Sequence, residues 1–111
     1  MILAIVDDLF FREKLVAAAG QLGRPLVFAK NPDSALSDGA AFSRVLIDLN
    51  LSSGDPIAIV RRLREANPAI PVIGYCSHTQ GDLRKQALEA GCTRVLPRSQ
   101  FVQQLPELLS D

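Results

Sequence analysis

The sequence predicts an α/β domain in which a parallel β-sheet is covered by helices on both faces, a doubly wound arrangement. Five short apolar runs alternate with five longer segments of helical character along the 111 residues. Strict alternation of this kind is typical of parallel strands joined by right-handed crossovers. Two of the apolar runs end in acidic residues, at Asp7-Asp8 and at Asp48. The pattern therefore predicts the fold class and also the edge of the sheet at which ligands would bind.

The predicted strands are short and largely apolar. The first consists of five consecutive apolar residues, which suits a strand that is buried on both faces of a parallel sheet. The fourth begins with a proline, which sheets accept at the first position of a strand. The strands are predicted at Ile2–Val6, Leu26–Ala29, Arg44–Asp48, Pro71–Cys76 and Arg94–Leu96.

The predicted helices are delimited by capping residues and prolines. Gly23 suits the C-terminal cap of the first helix, and Thr79 with Asp82 resembles a capping box at the start of the fourth. Pro106 falls inside the last helix and predicts a kink or an irregular turn near Gln104. The helices are predicted at Leu9–Leu22, Asn31–Gly39, Asp55–Ala66, Thr79–Ala90 and from Ser99 to Leu109.

Composition excludes several classes of protein. Twelve basic and 12 acidic residues give a net charge of zero, which argues against a nucleic-acid binder. No apolar run approaches the roughly 20 residues that span a bilayer, and the N-terminus lacks the basic region of a signal peptide. Two cysteines are too few for a disulfide framework. We therefore expect residues 1–111 to form one soluble, cytoplasmic domain without a membrane partner.

Acidic residues follow two of the predicted strands. Asp7 and Asp8 end the first strand and Asp48 ends the third. Singly, such acids are often solvated loop residues or helix caps. If the two strands are neighbours, however, three carboxylates converge at the edge where open α/β sheets bind ligands. Like charges raise each other's pKa, and a divalent cation with a preference for oxygen ligands, such as Mg²⁺, would relieve the repulsion.

Taken together, these motifs resemble the response-regulator receiver domain over essentially the whole chain. The resemblance implies a flavodoxin-like fold, with five parallel strands in the order 2-1-3-4-5. Each motif is weak alone, but their order and spacing are fairly specific. The segments that carry it are Asp7-Asp8 after Ile2–Val6, Leu46–Leu51, Pro71–Ile73, Ala87–Gly91 and Leu96–Arg98.

By position, the resemblance makes Asp48 the phosphoryl acceptor of a two-component phosphorelay. It implies a Mg²⁺ ion held by Asp7, Asp8, Asp48 and the backbone carbonyl of Asn50. Receiver domains are signalling modules, so the resemblance implies a phosphoprotein that is not an enzyme. The partners would be a histidine kinase or phosphotransfer protein, or a downstream signalling protein.

Several positions depart from the receiver pattern, and three of them bear on how phosphorylation is reported. Cys76 replaces the usual Thr or Ser, Arg98 replaces the usual Lys, and Val95 replaces an aromatic residue. A thiol is a weaker hydrogen-bond donor than a hydroxyl, and arginine is bulkier and planar where lysine is a compact cation. The acids remain while the residues that report phosphorylation are replaced, which indicates an atypical switch.

Two signalling functions follow from these observations, and a third, enzymatic function has less support. The first is a receiver with an atypical switch that acts by docking through the helix from Thr79, the strand Arg94–Leu96 and the last helix. The alternative is an ordinary phosphoacceptor receiver that is phosphorylated on Asp48. The third, a small flavodoxin-like enzyme, lacks an identifiable pair of nucleophile and base.

Other polar residues have simpler interpretations. Cys76 and Cys92 suit small buried positions, and His78 suits a solvated loop. Three arginines, at 61, 62 and 64, suit a solvated helix face rather than a nucleic-acid site. The leucines of Leu105–Leu109 include at least one expected to reach the surface, which leaves a homodimer open.

Overall fold

A five-stranded parallel sheet forms the centre of the protein. The computed structural model describes residues 1–29, 42–52 and 54–110. The strand order is β2-β1-β3-β4-β5, and every neighbouring pair is parallel, so the predicted fold class is confirmed. The strands are β1 (Ile2–Ile5), β2 (Leu26–Phe28), β3 (Arg44–Asp48), β4 (Val72–Cys76) and β5 (Arg94–Pro97).

Helices cover the sheet, and their bounds agree closely with the predicted ones. The predicted helix at Asn31–Gly39 lies outside the described residues. The last predicted helix is two short helices separated at Gln104, as expected from Pro106. The described helices are α1 (Leu9–Leu22), α2 (Pro56–Ala66), α3 (Gly81–Ala90), α4 (Arg98–Gln103) and α5 (Leu105–Leu109).

Side chains alternate between two cores, one on each face of the sheet. Leu3 and Ile5 of β1 face the core beneath α2 and α3, whereas Ile2 and Ala4 face the core beneath α1, α4 and α5. A strand whose two faces are both buried must be apolar throughout, which explains the uninterrupted apolar sequence of β1. The sheet is therefore held from both sides, and its strand ends are fixed in position.

Acidic residues begin two of the helices that follow strands. One carboxylate oxygen of Asp8 accepts hydrogen bonds from the backbone N–H groups of Phe10 and Phe11, at 3.0 and 3.2 Å. Asp55 caps α2 in the same way, with Pro56 in the first turn. Gly23 ends α1 with φ at 66°, a left-handed conformation that glycine adopts without strain.

Four features at helix ends and surfaces differ from expectation. The predicted capping box is wrong, because α3 begins after Gln80 and has no side-chain cap. The Thr79 hydroxyl instead contacts the Ser77 hydroxyl at 2.9 Å. Leu22, whose helical spacing in the sequence predicts a place on the apolar face of α1, is 42% exposed. The leucines of Leu105–Leu109 are all buried against the sheet, so they offer no apolar surface for a homodimer.

Arg64 is the fourth difference, since it is half-buried rather than solvated. Its guanidinium donates to the carbonyl oxygen of Gly91 at 2.7 and 3.1 Å, and to that of Pro68 at 2.9 Å. Carbonyl groups near helix C-termini lack partners within the helix. Arg64 therefore ties the end of α2 to the turn that follows α3.

No helix among the described residues is both long enough and apolar enough to cross a membrane.

Candidate functional site

The carboxyl ends of the strands meet at a cavity of about 880 Å³. Strands β1 and β3 are neighbours, which meets the condition under which the acids at their ends converge. All the predicted site residues line this one cavity: Asp7, Asp8, Asp48, Asn50, Cys76 and Arg98. The structure thus places the acids, the amide, the thiol and the guanidinium around one space.

Asp48 is the last residue of β3 and is 7% exposed. Its Oδ1 accepts a hydrogen bond from the backbone N–H of Asn50 at 2.8 Å. Burial raises the pKa of Asp48, and the charge of Asp7 raises it further, while the Asn50 hydrogen bond and Arg98 lower it. A carboxylate that water solvates poorly is a stronger base and nucleophile, which suits an acceptor group.

Asp8 has its two oxygens committed to protein groups. Oδ1 caps α1, and Oδ2 forms an ion pair with Arg98 Nη2 at 3.0 Å. The backbone hydrogen bond from Phe11 and the hydrogen bond from Arg98 hold the pKa of Asp8 below its ordinary value. Asp8 therefore stays ionised and positions the guanidinium at the cavity.

Arg98 begins α4 and lies across the cavity wall. Its guanidinium carbon is 4.9 Å from the centre of the Phe11 ring, within the range of a cation–π contact. The side chain is about half exposed, so its charge faces both solvent and the acids. The ring and Asp8 together hold the cation near the mouth of the cavity.

Asp7 ties the end of β1 to the loop after β3. Its Oδ2 accepts hydrogen bonds from the backbone N–H and the hydroxyl of Ser52, at 3.0 and 2.7 Å. On the other side of that loop, the side-chain amides of Asn50 and Gln80 form two reciprocal hydrogen bonds of 2.9 Å. The loop that carries Asn50 is thus held through Asn50 and Ser52, which orders this part of the cavity rim.

Similar solved structures were found, although no protein-family model and no curated protein matches the sequence. NtrX from Brucella abortus is 19% identical with a TM-score of 0.81, over 97% of this chain and 26% of that one. A response regulator from Burkholderia pseudomallei, solved with a phosphorylated aspartic acid, a calcium ion and citrate, is 22% identical with a TM-score of 0.81, over 98% and 65%. The chain has the receiver-domain fold.

A further receiver domain is similar to this chain in structure to the same degree. That of a sensor histidine kinase from Pseudomonas aeruginosa, solved with magnesium in its active-site cleft, is 20% identical with a TM-score of 0.81. The match covers 97% of this chain and 92% of that one. The present chain spans about a quarter of NtrX and just under two thirds of the Burkholderia protein. At these identities the likeness is one of fold, and the chemistry depends on the residues of this chain.

Within the receiver fold, Cys76 and Val95 lie on the opposite side of the sheet from α1. Both are buried in the core beneath α2 and α3, as expected for small apolar side chains. Burial raises the pKa of the Cys76 thiol, and the charge of Asp48 adds to the rise. Both residues also line a second cavity of about 380 Å³. A protonated thiol is only a weak hydrogen-bond donor, and an isopropyl group forms no hydrogen bonds.

Sequence reasoning did not assign Lys14 or Tyr75 to the site, although both line the main cavity. Lys14 lies in the second turn of α1, where one surface lysine has no distinguishing signal. Tyr75 pairs directly with Asp48 across β3 and β4, a register that the sequence alone does not give. Directly opposed residues in neighbouring parallel strands point to the same face.

The oxygen ligands at this cavity suit a Mg²⁺ ion that keeps several waters, rather than a metal ion that is enclosed by protein ligands. No group of three or more His, Cys, Asp or Glu side chains in the described part of the chain is placed to hold a metal ion. The charge of Asp7 nevertheless raises the pKa of Asp48, which means that these carboxylates repel each other. Mg²⁺ usually takes one or two carboxylates and keeps several waters, so this pair fits it.

Proposed function

We propose that the chain is a signalling receiver module in which Asp48 accepts a phosphoryl group and an atypical switch passes the change to a docking partner. One observation carries the proposal. Asp48 is buried at a strand end and lines a cavity that also presents Asp7, Asp8 and Arg98. This arrangement supports Asp48 as a rigid nucleophile, beside a guanidinium that can balance the charge of a phosphoryl donor and beside carboxylates that can hold a divalent cation.

The proposed reaction is a single displacement at phosphorus. A carboxylate oxygen of Asp48 forms a bond to phosphorus, and the phosphorus bond to the donor breaks, so that the donor leaves with the bonding electrons. With acetyl phosphate the leaving group is acetate. Arg98, near enough to lower the pKa of Asp48, is placed to contact the phosphoryl oxygens. The fork of the guanidinium suits that contact, although it differs from the lysine that receivers usually carry.

The metal ligands under this proposal are Asp7, Asp48 and the backbone carbonyl of Asn50. Bound there, Mg²⁺ would neutralise charge on the transferring group. Asp8 is already held by Arg98 and by the start of α1. Its part is therefore to position Arg98 and to reach the cation only through water.

The proposed partners are a histidine kinase or phosphotransfer protein that supplies the group, and a downstream signalling protein that reads it. The docking face is formed by α3, β5 and α4. Cys76 and Val95 cannot provide the relay of a hydroxyl and an aromatic ring across this face. Under this proposal, other residues must therefore transmit the effect of phosphorylation to the docking face.

A second candidate is a docking module that is never phosphorylated. The ion pair between Asp8 and Arg98 favours it, because a cation engaged by one carboxylate is less available to a phosphoryl group. The two candidates differ in one observable, which is a covalent adduct at Asp48.

The test uses acetyl phosphate with Mg²⁺ and intact-mass spectrometry. We expect the wild-type protein to gain the mass of one phosphoryl group and Asp48→Asn to gain none. The matched control is Asp55→Asn, which makes the same change at an exposed helix cap and should still form the adduct. No adduct with acetyl phosphate or with a cognate kinase would contradict the proposal and support the docking module.

A further inference from the structure

The Tyr75 hydroxyl is buried without a hydrogen-bond partner among the described residues. The residue is only 2% exposed, so bulk water does not compensate for the missing bond. Leaving a buried polar group unpaired is costly, and phenylalanine would fill the same space without that cost. An unpaired donor at the centre of a well-packed domain therefore needs an explanation beyond packing.

The position of Tyr75 supplies that explanation. Tyr75 and Asp48 are directly opposed on neighbouring strands and line the same cavity. The charge of Asp48 contributes to raising the pKa of Tyr75, although burial is the larger cause. The hydroxyl thus lies close enough to the Asp48 carboxylate for a hydrogen-bond interaction to affect the pKa of each group, yet it falls short of full hydrogen-bond geometry.

We propose that the Tyr75 hydroxyl donates a hydrogen bond to the phosphoryl group that Asp48 carries. The inference rests on the proposed function, since it requires Asp48 to be phosphorylated. The modification adds three acceptor oxygens beyond the carboxylate, which brings an acceptor toward a donor that lacks one. Tyr75 would thereby replace, from the opposite face of the sheet, the hydroxyl that receivers have where this chain has Cys76.

Aromatic contacts connect this bond to two helices. The Tyr75 ring stacks on Phe11 of α1 with ring centres 4.6 Å apart, and it lies 4.5 Å from Phe101 of α4. Packed rings cannot adjust independently, because protein interiors are as dense as organic crystals. A shift of the hydroxyl toward the phosphoryl group would therefore be passed to α1 and α4, and α4 belongs to the proposed docking face.

The first experiment compares wild type with Tyr75→Phe, using beryllofluoride with Mg²⁺ as a stable mimic of the phosphoryl group. Binding is measured by isothermal titration calorimetry. We expect binding to Tyr75→Phe to be weaker by roughly tenfold or more, the size of one hydrogen bond to a charged group. The urea midpoint of Tyr75→Phe should equal or exceed that of wild type, which separates lost binding from lost folding.

The second experiment uses the wild-type protein alone and does not depend on how a variant folds. The chain has one tyrosine and no tryptophan, so its tyrosine fluorescence reports Tyr75 alone. Beryllofluoride with Mg²⁺ should change that fluorescence in wild type and leave Asp48→Asn unchanged. A tyrosine with only a packing role would not respond in this way.

The outcomes separate this inference from the proposed function. If the phosphoryl adduct forms while Tyr75 fluorescence and the affinity of Tyr75→Phe stay unchanged, the inference is overturned and the proposed function stands. If wild type forms no adduct, both are overturned. A fluorescence change together with weaker binding by Tyr75→Phe supports both.

Discussion

Asp48 shows how a functional group is kept at a cost to stability. Its carboxyl is buried, and the charge of Asp7 opposes its ionisation. Because both effects favour the protonated acid, the folded state is less stable at neutral pH than it would be with a neutral side chain. The proposed acceptor role and the stability of the domain therefore have opposite requirements at this residue.

A neutral amide at position 48 should remove this loss of stability. We expect Asp48→Asn to raise the thermal unfolding midpoint by several degrees at pH 7 in EDTA. Asparagine keeps an oxygen for the Asn50 N–H group while removing the charge. Asp55→Asn is the control and should leave the midpoint unchanged, because asparagine caps helices about as well as aspartate. A lower midpoint for Asp48→Asn would contradict the account of this site.

The raised pKa of Cys92 predicts that the protein loses stability at alkaline pH. Burial raises the pKa of this thiol from 9.0 to about 11. Between these values the unfolded chain releases the proton while the folded protein keeps it, so the free energy of unfolding falls as pH rises from 9 to 11. Urea unfolding at several pH values should show a smaller fall for Cys92→Ala than for wild type. Equal slopes for the two proteins would contradict this.

Most elements could be predicted because their signals are local. Short apolar runs and capping residues predicted the bounds of four of the five helices to within one or two residues. Pro106 predicted the break at Gln104. The cap of α3 was predicted wrongly, because the Thr79 hydroxyl contacts the Ser77 hydroxyl and the helix has no side-chain cap. Such competition between nearby side chains is decided by three-dimensional geometry rather than by sequence spacing.

Arg64 is the element-scale feature that sequence reasoning missed, because its partners are supplied by the turn after α3. We expect Arg64→Ala to lower the free energy of urea unfolding by about 1–3 kcal/mol, since it leaves the Gly91 carbonyl without its donor. Arg61→Ala is the matched control on the exposed side of α2 and should change stability by less than about 0.5 kcal/mol. Equal effects of the two substitutions would contradict the role of Arg64.

At the scale of the molecule, a net charge of zero conceals a local imbalance. The charges balance overall, yet Asp7, Asp8 and Asp48 line one cavity together with Lys14 and Arg98. The sequence predicted this clustering because parallel strands bring their carboxyl ends to one edge. It did not reveal Tyr75, since that requires the register between β3 and β4. Long-range pairing is the information that one sequence lacks.

The acid cluster predicts that Mg²⁺ stabilises the whole domain. A ligand that binds only the folded state at ten times its Kd adds about 1.4 kcal/mol of stability. We therefore expect millimolar Mg²⁺ to raise the unfolding midpoint of wild type by several degrees, and to do so much less for Asp7→Asn. Asp55→Asn should respond as wild type does. An unchanged wild-type midpoint would count against Mg²⁺ binding at this site.

The most direct test of the central claim is to locate the modified residue. Acetyl phosphate with Mg²⁺ is followed by borohydride, which reduces an acyl phosphate to an alcohol, and tandem mass spectrometry then reads the altered position. We expect reduction at Asp48 alone. Reduction at Asp7 or Asp8 instead, or at no residue, would contradict it.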